Sequence, residues 1–302
     1  MMARWLAISV TAMTVVMMSC DCDRHRAGGD ENQDEVQFTS SEQWSDEPKR
    51  IVSMAPNITE LLFELDMGDR VVAVTRYCDW PPEVEQLPTI GGMLDPDYEA
   101  ILAAEPDVVI GVEGGADHRV VERLEQANVA YGFLHIDDLT TIRAGTQKLG
   151  EWLGAEARAE ELVRQFDAEL QRASSSVRQS LESEEATAIL VFDREPVVAA
   201  GNGSFGDQIL QLAGLENAVP RDAGAYPVLD IEQVLAMNPE VIIDVKIEAG
   251  SSETVLEYWR QFESLRAVES GRIVQLDDPV MMRPGPRIPE ALDRLGQAVE
   301  EL

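Results

Sequence analysis

Residues 97–110 read DYEAILAAEPDVVI, and this stretch decides the fold because it holds one complete step from a helix to a buried strand. Asp97 is of a type that caps helices, and Pro106 is of the type that ends them. The apolar run that follows is typical of a strand buried in a parallel sheet. Residues 230–243, DIEQVLAMNPEVII, repeat the same step without gaps. The chain is therefore expected to contain two related α/β units.

The two copies share seven residues at equivalent positions. General rules for starting and ending a helix explain some of these identities, because Asp and Pro serve these roles in unrelated proteins. The occurrence of one copy in each half of the chain favours duplication. The identical pairs are Asp97/Asp230, Glu99/Glu232, Leu102/Leu235, Ala103/Ala236, Pro106/Pro239, Val108/Val241 and Ile110/Ile243.

Strand-type runs alternate with helical periodicity around both copies. Runs at 50–54 and 71–75 precede the first copy, and runs at 188–192 and 272–276 flank the second. Such alternation is typical of parallel α/β sheets.

A helical spacer separates the two α/β parts. Between residues 139 and 181 there is no strand signal, and apolar residues recur at steps of three and four. This pattern predicts a helix of about 25 residues, spanning roughly 37 Å, after a shorter helix that ends near Gly154.

Composition excludes some classes of partner. The chain has 56 acidic and 24 basic residues, a formal charge of −32, and nucleic acid is therefore not an expected partner. Its three cysteines do not indicate a disulfide framework. Of these, Cys78 lies in the folded body, where it is either buried or faces a cleft.

The amino terminus is typical of a secreted protein. The apolar run at 5–18 follows Arg4 and is too short to cross a bilayer, so it predicts a signal peptide. It ends at MMSC, residues 17–20, which resembles a bacterial lipobox with Cys20 as the lipidated residue. Ordinary secretion with an incidental cysteine is the alternative. In proteobacterial lipoproteins an aspartate after the cysteine, here Asp21, implies retention at the inner membrane.

The polar, acidic segment at 21–49 has no hydrophobic periodicity. Such a segment buries too little apolar surface to offset the entropy of ordering it. It is expected to be a flexible tether between membrane and body.

Several motifs in this order resemble the periplasmic binding proteins of ABC importers that have a helical backbone, and most closely their cobalamin-binding branch. The resemblance covers residues 50–302. Its motifs are RIVSMAPNITELLFELDMGDRVVAVTRYCDWPPEV (50–84), LPTIGGM (87–93), YEAILAAEPDVVI (98–110), GNGSFGDQILQLAGLENAV (201–219), YPVLDIEQVLAMNPEVII (226–243) and RPGPRIPEAL (283–292).

This resemblance implies an α/β fold with two Rossmann-like lobes, parallel sheets, a long backbone helix joining them and a ligand cleft between them. The expected divisions are a signal peptide at 1–19, a disordered acidic tether at 20–48, an N-terminal lobe at 49–137, a backbone-helix region at 138–182 and a C-terminal lobe at 183–302.

Aromatic residues after strands are the first candidates for ligand contact. Tyr77 and Trp80 flank Asp79 on a loop that Pro81 and Pro82 stiffen, and loops after strands carry ligand contacts in α/β proteins. The alternative is that Trp80 packs within its own lobe. By resemblance, Tyr77 matches a corrinoid-contacting tyrosine.

Other site residues follow from the resemblance alone. Tyr226 falls where the cobalamin branch places a cleft tryptophan. That branch often has tryptophans where this chain has Met93 and Val112, which leaves the exact ligand open, although an adaptable methionine can still pack on a macrocycle. Arg283 is expected to reach the cleft. The remaining arginine of the RPGPR motif, at 287, starts the last helix and is expected to be structural.

The repeated helices carry equivalent glutamates, Glu99 and Glu232. A carboxylate in the first turn of a helix is favoured by the helix dipole, so one interpretation is helix stability. By resemblance, both glutamates form salt bridges with arginines of a two-fold symmetric permease dimer.

Other chemistries fit the sequence less well. Bare-metal binding needs several histidines with carboxylates, and the chain has only His25, His118 and His135. The GNGSFG turn at 201–206 lacks the Gly-Lys-Ser/Thr ending of a nucleotide-binding loop, and the segment around Ser204 does not match a serine-nucleophile motif.

The expected function is a lipid-anchored, periplasmic substrate-binding protein that captures cobalamin or a related corrinoid. It is expected to be monomeric and non-enzymatic, without an intrinsic cofactor or metal, and to deliver a large metal-chelate to an ABC permease and its ATPase. A siderophore or haem carrier of the same fold is one alternative. A chelatase-like cleft enzyme is another, and it would bring a histidine and a carboxylate together in the cleft.

Overall fold

The computed structural model describes residues 38–41, 44, 47–114, 118–180, 186–245, 254–276 and 279–300. The predicted signal peptide, Cys20 and most of the predicted tether lie outside the described residues. Within the described part of the chain, no helix is both long and apolar enough to cross a membrane.

The described residues form eleven strands in two sheets. In chain order the strands are β1 Phe38–Ser40, β2 Ile51–Ser53, β3 Val71–Val74, β4 Val108–Val112, β5 Ala130–Leu134, β6 Thr187–Arg194, β7 Val197–Ala199, β8 Glu216–Asn217, β9 Val228–Leu229, β10 Val241–Val245 and β11 Ile273–Leu276.

Ten α-helices surround the sheets within the same residues. They are α1 Pro56–Glu64, α2 Tyr98–Ala103, α3 His118–Gln126, α4 Leu139–Leu153, α5 Glu156–Ser180, α6 Phe205–Ala213, α7 Ile231–Met237, α8 Val255–Arg260, α9 Arg266–Glu269 and α10 Ile288–Glu300. Short 3-10 helices cover Gly68–Arg70, Pro82–Gln86 and Pro279–Met282.

The first sheet has the order β1-β5-β4-β2-β3, and every pairing except that of β1 with β5 is parallel. The second sheet has the order β11-β10-β6-β7-β9, with β8 beside β6. Its pairings from β11 to β6 are parallel, whereas β7 is antiparallel to both of its neighbours. Two parallel-rich sheets with flanking helices confirm the predicted α/β fold.

The predicted spacer forms two helices. Gly154 closes α4 with a left-handed backbone (φ 67°), a conformation that glycine adopts without steric cost, and α5 then continues for 25 residues. One face of α5 is buried through Leu162, Phe166 and Leu170, at the helical spacing read from the sequence. This face belongs to a hydrophobic core that includes residues of both sheets.

The repeated step has the same local structure in both halves. Asp97 and Asp230 are the N-caps of α2 and α7. The carboxylate of Asp97 accepts two hydrogen bonds from backbone N–H groups of the first helical turn, and that of Asp230 accepts one. Glu105 and Asn238, the residues before the two prolines, both have φ 46°. The strands that follow, β4 and β10, lie inside their respective sheets.

The end of the predicted tether requires a correction. Residues Phe38–Ser40 pair with β5, and Trp44 packs on Trp152 with ring centroids 4.9 Å apart. The folded body therefore begins about ten residues before position 49. Phe38 also contacts Trp152, edge-on. Together with Trp44 it supplies apolar contacts that the polar composition of the segment obscured. The predicted limits of the lobes and spacer stay predictions.

Candidate functional site

Three exposed aromatic side chains lie on loops at the ends of strands. Tyr77 and Trp80 are on the loop after β3 and are 52% and 40% exposed, and Tyr226, just before β9, is 52% exposed. Large aromatic rings are usually buried, so exposed rings on such loops mark a surface suited to a flat or apolar ligand.

Tyr226 packs against an aromatic residue of the second sheet. Its ring lies 6.0 Å from that of Phe192 in β6. Burial raises the pKa of its phenol, and the charge of Asp137, which follows β5 of the first sheet, raises it further. Tyr226 therefore contacts the second sheet and lies near enough to Asp137 to feel its charge.

The backbone beside Tyr226 is tightly packed. A Cβ added to Gly201 would lie 1.9 Å from the carbonyl oxygen of Gly224, so only glycine fits at this crossing. Ser204 then caps α6 by accepting a hydrogen bond from the N–H of Asp207. Residues 201–204 thus form a tight turn that leads directly into α6.

Arg283 clamps the Tyr77–Trp80 loop from the far end of the chain. Its Nη1 and Nη2 atoms donate to the two carboxylate oxygens of Asp79 at 2.5 and 2.9 Å, and Nη2 also donates to the carbonyl of Tyr77 at 3.2 Å. A bidentate pair of this kind holds a loop in one geometry. Arg283 thus positions the aromatic loop, and its direct contact with a ligand stays a prediction.

Behind this clamp lies Glu60 of α1, which is 2% exposed. Its Oε1 atom is 3.5 Å from Arg283 Nη1 and 3.7 Å from Arg287 Nη1, while Oε2 has no hydrogen-bond partner within the described part of the chain. Burial raises the pKa of Glu60 to about 7, although the nearby charges of Arg287 and Arg283 oppose this rise.

Arg287 completes the cluster. Its guanidinium stacks over Trp80 at 4.2 Å from the ring centroid, and its Nε donates to Glu290 at 2.8 Å. Asn57 of α1 donates to the carbonyl of Pro284 at 2.8 Å. The segment 283–287 therefore joins α1 to the aromatic loop, which agrees with the structural role expected for Arg287.

A recess of about 640 Å3 opens beside Trp80, on the side of α1 and α5. It includes Trp80 but not Tyr77, Met93 or Tyr226, so it shares only Trp80 with the predicted ligand surface. Its lining residues are Glu60, Phe63, Glu64, Asp66, Gly68, Asp69, Val71, Trp80, Pro81, Glu83, Leu87 and Arg158.

Three further predicted positions differ in their surroundings. Met93 and Val112 are half-buried and pack against the main core, so each offers less apolar surface to a ligand than an exposed ring. Cys78 is buried beside the hydroxyls of Thr59 and Thr75, both 3.1 Å from its Sγ. Burial raises the pKa of this thiol, which resolves the alternative in favour of an inert, buried cysteine.

His135 follows β5 and lies between two carboxylates. Its Nε2 is 3.1 Å from Asp137 and its Nδ1 is 3.6 Å from Glu113. The chain thus brings a histidine and carboxylates together, as the chelatase alternative requires. Nevertheless, the described residues contain no group of three or more His, Cys, Asp or Glu side chains arranged to hold a metal ion. The side chain of His118, at the start of α3, and all of His25 lie outside the description.

The repeated glutamates are both exposed in the first turns of their helices, Glu99 in α2 and Glu232 in α7. In the part of the chain that the structure covers, neither carboxylate has a cationic partner. Both are therefore available to a partner protein.

Sequence reasoning missed the two acids that organise the site, Glu60 and Asp79. A signal was present for Glu60, since it lies among the apolar residues of the helix ITELLFEL, and an acid on a buried helix face needs a partner. No local pattern could pair Asp79 with Arg283, because 204 residues separate them.

Comparison with known proteins agrees with this architecture. The family model described as periplasmic binding protein matches residues 51–280. An ABC transporter substrate-binding lipoprotein of Bacillus subtilis is 26% identical over 84% of this chain and 80% of its own length. A vitamin B12-binding protein of Vibrio parahaemolyticus is 25% identical over 84% of this chain and 91% of its own.

Solved structures share the fold. The periplasmic haem-binding protein RhuT of Roseiflexus sp. RS-1, in its apo form, superposes with a TM-score of 0.74 and 28% identity. The superposition covers 84% of this chain and 98% of RhuT.

Proposed function

The chain belongs to the periplasmic binding protein family and is a substrate-binding protein of an ABC importer of the vitamin B12, haem or siderophore type; within that class, we propose that it captures cobalamin or a related corrinoid. It would hold this ligand between the two sheets and deliver it to the permease.

One observation carries this proposal. Among the residues that the structure describes, seven large hydrophobic side chains are exposed, and three of them are Tyr77, Trp80 and Tyr226. A flat macrocycle gains much of its binding energy from contact with aromatic faces, and exposed rings on a clamped loop lose little conformational freedom on binding. Vitamin B12-binding relatives of similar length support the choice of a corrinoid.

The proposal is tested by calorimetry on the full-length chain with cyanocobalamin, cobinamide, haemin and a ferric siderophore. We expect saturable heat with one or both corrinoids. Tyr77→Ala and Tyr226→Ala should each weaken binding about tenfold, since each removes much of one aromatic contact. Leu256→Ser alters an exposed apolar residue of α8 and should have no effect. If the siderophore binds and neither corrinoid does, the proposal of a corrinoid ligand is wrong.

Haem is the second candidate, and one observation favours it. The similarity to the haem-binding RhuT, at 28% identity, is as high as that to the vitamin B12-binding relative. This chain has Met93 and Val112 where the corrinoid branch often has tryptophans, and this difference also favours haem. Binding of haemin in the same titration, without corrinoid binding, would establish this alternative.

The enzymatic alternative receives less support. His135 has two carboxylate neighbours, but the relatives and structural neighbours named above are binding proteins. Ferrochelatase-type activity, measured as metal insertion into a porphyrin, is expected to be absent.

Two further parts of the proposal concern partners. Glu99 and Glu232 would dock the two lobes onto basic residues of a permease dimer, since both lie exposed at equivalent points of the repeat. Cys20 would carry the lipid that holds the chain at the inner membrane. The Bacillus subtilis relative is named a lipoprotein, which supports this part of the proposal. The receptor would act as a monomer in the periplasm.

A further inference from the structure

A shallow apolar groove runs between α2 and α3 on the first lobe. Its volume is about 270 Å3. Two helices meet along it without filling it, so it can accept a side chain from outside. The lining residues are Tyr98, Ile101, Leu102, Arg123, Leu124, Gln126 and Ala127.

Leu102, on the rim of this groove, is 45% exposed. Its equivalent in the repeat is Leu235 of α7, which is partly buried and packs against the core of the second lobe. A leucine at the equivalent position of the repeated helix thus packs against the core in one lobe and is exposed in the other. Core packing therefore does not explain the exposure of Leu102.

The groove lies beside one of the predicted docking acids. Glu99 precedes Leu102 by three positions, so the two side chains share one face of α2. Arg123 on the far wall is stacked on Tyr98, with its guanidinium 4.5 Å from the ring centroid, and this contact shapes the groove. The face combines an available carboxylate with an apolar recess.

Exposed apolar residues also precede both repeated helices. Leu94, just before the N-cap of α2, is 83% exposed, and Val228, just before the N-cap of α7, is also exposed. An exposed apolar residue therefore lies just before each of the two helices that carry the predicted docking acids. Contiguous exposed apolar surface with a charged rim is typical of a protein-binding surface.

We propose that the α2–α3 groove receives an apolar side chain of the ABC permease, next to the basic residue that pairs with Glu99. This inference rests on the proposed function, because it extends the docking of Glu99 to a second, non-ionic contact. In this arrangement the carboxylate steers and orients the receptor, whereas the groove supplies affinity that does not depend on salt.

A protein is the occupant that the charges favour. The chain carries a formal charge of −32, and an acidic lipid surface would repel it. A basic partner with an apolar side chain complements both Glu99 and the groove. The permease of the importer is the partner that the family membership supplies.

The test measures association of the full-length chain with the detergent-solubilised permease–ATPase complex that takes up ligand with it, over a range of ionic strengths. Leu102→Ser and Ala127→Trp, which respectively remove and fill the apolar contact, should each weaken association about tenfold at every ionic strength. Glu99→Gln should instead weaken it mainly at low salt and flatten its salt dependence. Leu256→Ser, at a residue 37% exposed on the other lobe, is the matched control.

Ligand titration and thermal melting of each variant separate the outcomes. Normal ligand binding and melting with weakened association support the groove. If both groove variants associate with the permease as the wild type does, the groove proposal is wrong. It is also wrong if Leu256→Ser loses as much association as they do. Either outcome leaves the proposed function intact. If the wild-type chain binds no corrinoid, haem or siderophore and no importer, the proposed function fails, and the groove proposal fails with it.

Discussion

Arg283 holds both carboxylate oxygens of Asp79, at 2.5 and 2.9 Å, across 204 residues of sequence. This pair connects the segment before the last helix to the loop that presents Tyr77 and Trp80. The geometry of the predicted ligand surface therefore depends on the carboxyl-terminal part of the chain as well as on the first lobe.

Asp79→Asn should loosen the aromatic loop. The change leaves the guanidinium of Arg283 mostly buried without its charge-paired acceptor, so we expect a loss of about 1–2 kcal/mol in the free energy of unfolding and several-fold weaker ligand binding. Urea denaturation and calorimetry measure the two effects. Asp293→Asn removes the partner of Arg172 in a more exposed pair and is the control. Equal behaviour of the two variants would contradict the clamp.

Glu60 should make stability depend on pH. Its pKa is about 7 in the folded protein against an ordinary value of 4.5, so the folded state binds more protons than the unfolded chain between these values. The free energy of unfolding should therefore fall as pH rises through this window, by up to about 3 kcal/mol. Its charged neighbours are Arg283, Arg287 and Asp79, and the pKa of Asp79 is lowered from 3.8, which places its own effect below the window.

Glu60→Gln is the variant that tests this dependence. It should remove the fall in unfolding free energy between about pH 5 and pH 7.5, whatever its absolute stability. Urea denaturation at the two pH values gives the difference directly. If the difference in unfolding free energy between the wild-type chain and the variant is the same at both pH values, the carboxyl of Glu60 titrates normally.

The double variant Glu99→Gln, Glu232→Gln should slow uptake and leave ligand affinity unchanged. Exposed charges at an interface control association and orientation more than they control the ligand site. Uptake of labelled ligand is compared with that of Glu263→Gln, an exposed acid outside the repeated helices. If the glutamates only stabilise their helices, the variant should instead lose about 0.3–1 kcal/mol of stability per site with normal uptake.

Cys20→Ser should release the chain from the membrane into the soluble periplasmic fraction. Several acyl chains on one cysteine give a stable anchor, and the serine variant has none. Cys22→Ser is a close control, since it changes a neighbouring cysteine outside the lipobox-like stretch. Unchanged membrane association of the Cys20 variant, seen by fractionation, would mean that another feature anchors the chain.

Glu105→Asn should stabilise the protein. Glu105 is exposed and has a left-handed backbone at φ 46°, which costs an ordinary residue about 1 kcal/mol and costs asparagine less. The equivalent residue of the repeat, Asn238, already has this type and the same φ. We expect a gain of about 0.5–1 kcal/mol in the free energy of unfolding by urea denaturation. No gain would indicate that the strain is relieved elsewhere.

Local sequence pattern was sufficient to predict the long helix and the caps of the repeated helices. The spacing of Leu162, Phe166 and Leu170 predicted the long helix, and Gly154 predicted its start. Asp97 and Asp230 predicted the two helix caps. Each of these features depends on residues within one or two turns of the chain, so the sequence expresses it directly.

The site was only partly predictable. Tyr77 and Trp80 could be chosen as aromatic residues on a loop after a strand, and Tyr226 from the family resemblance. The structure leaves all three exposed. The partial burial of Met93 could not be read from its neighbours, since it depends on which core residues pack against it. The same holds for β1, whose place beside β5 depends on the contact between Trp44 and Trp152.

The sequence by itself determined most of the helices and strands, the repeated step from helix to strand and the α/β class, because periodicity and capping act over short distances along the chain. Only the tertiary structure decided that Glu60 is buried between Arg283 and Arg287, and that Arg283 holds Asp79. The physical reason is that a buried charge takes its partner from whatever the folded chain brings within a few ångströms, and here those partners come from the opposite end of the sequence.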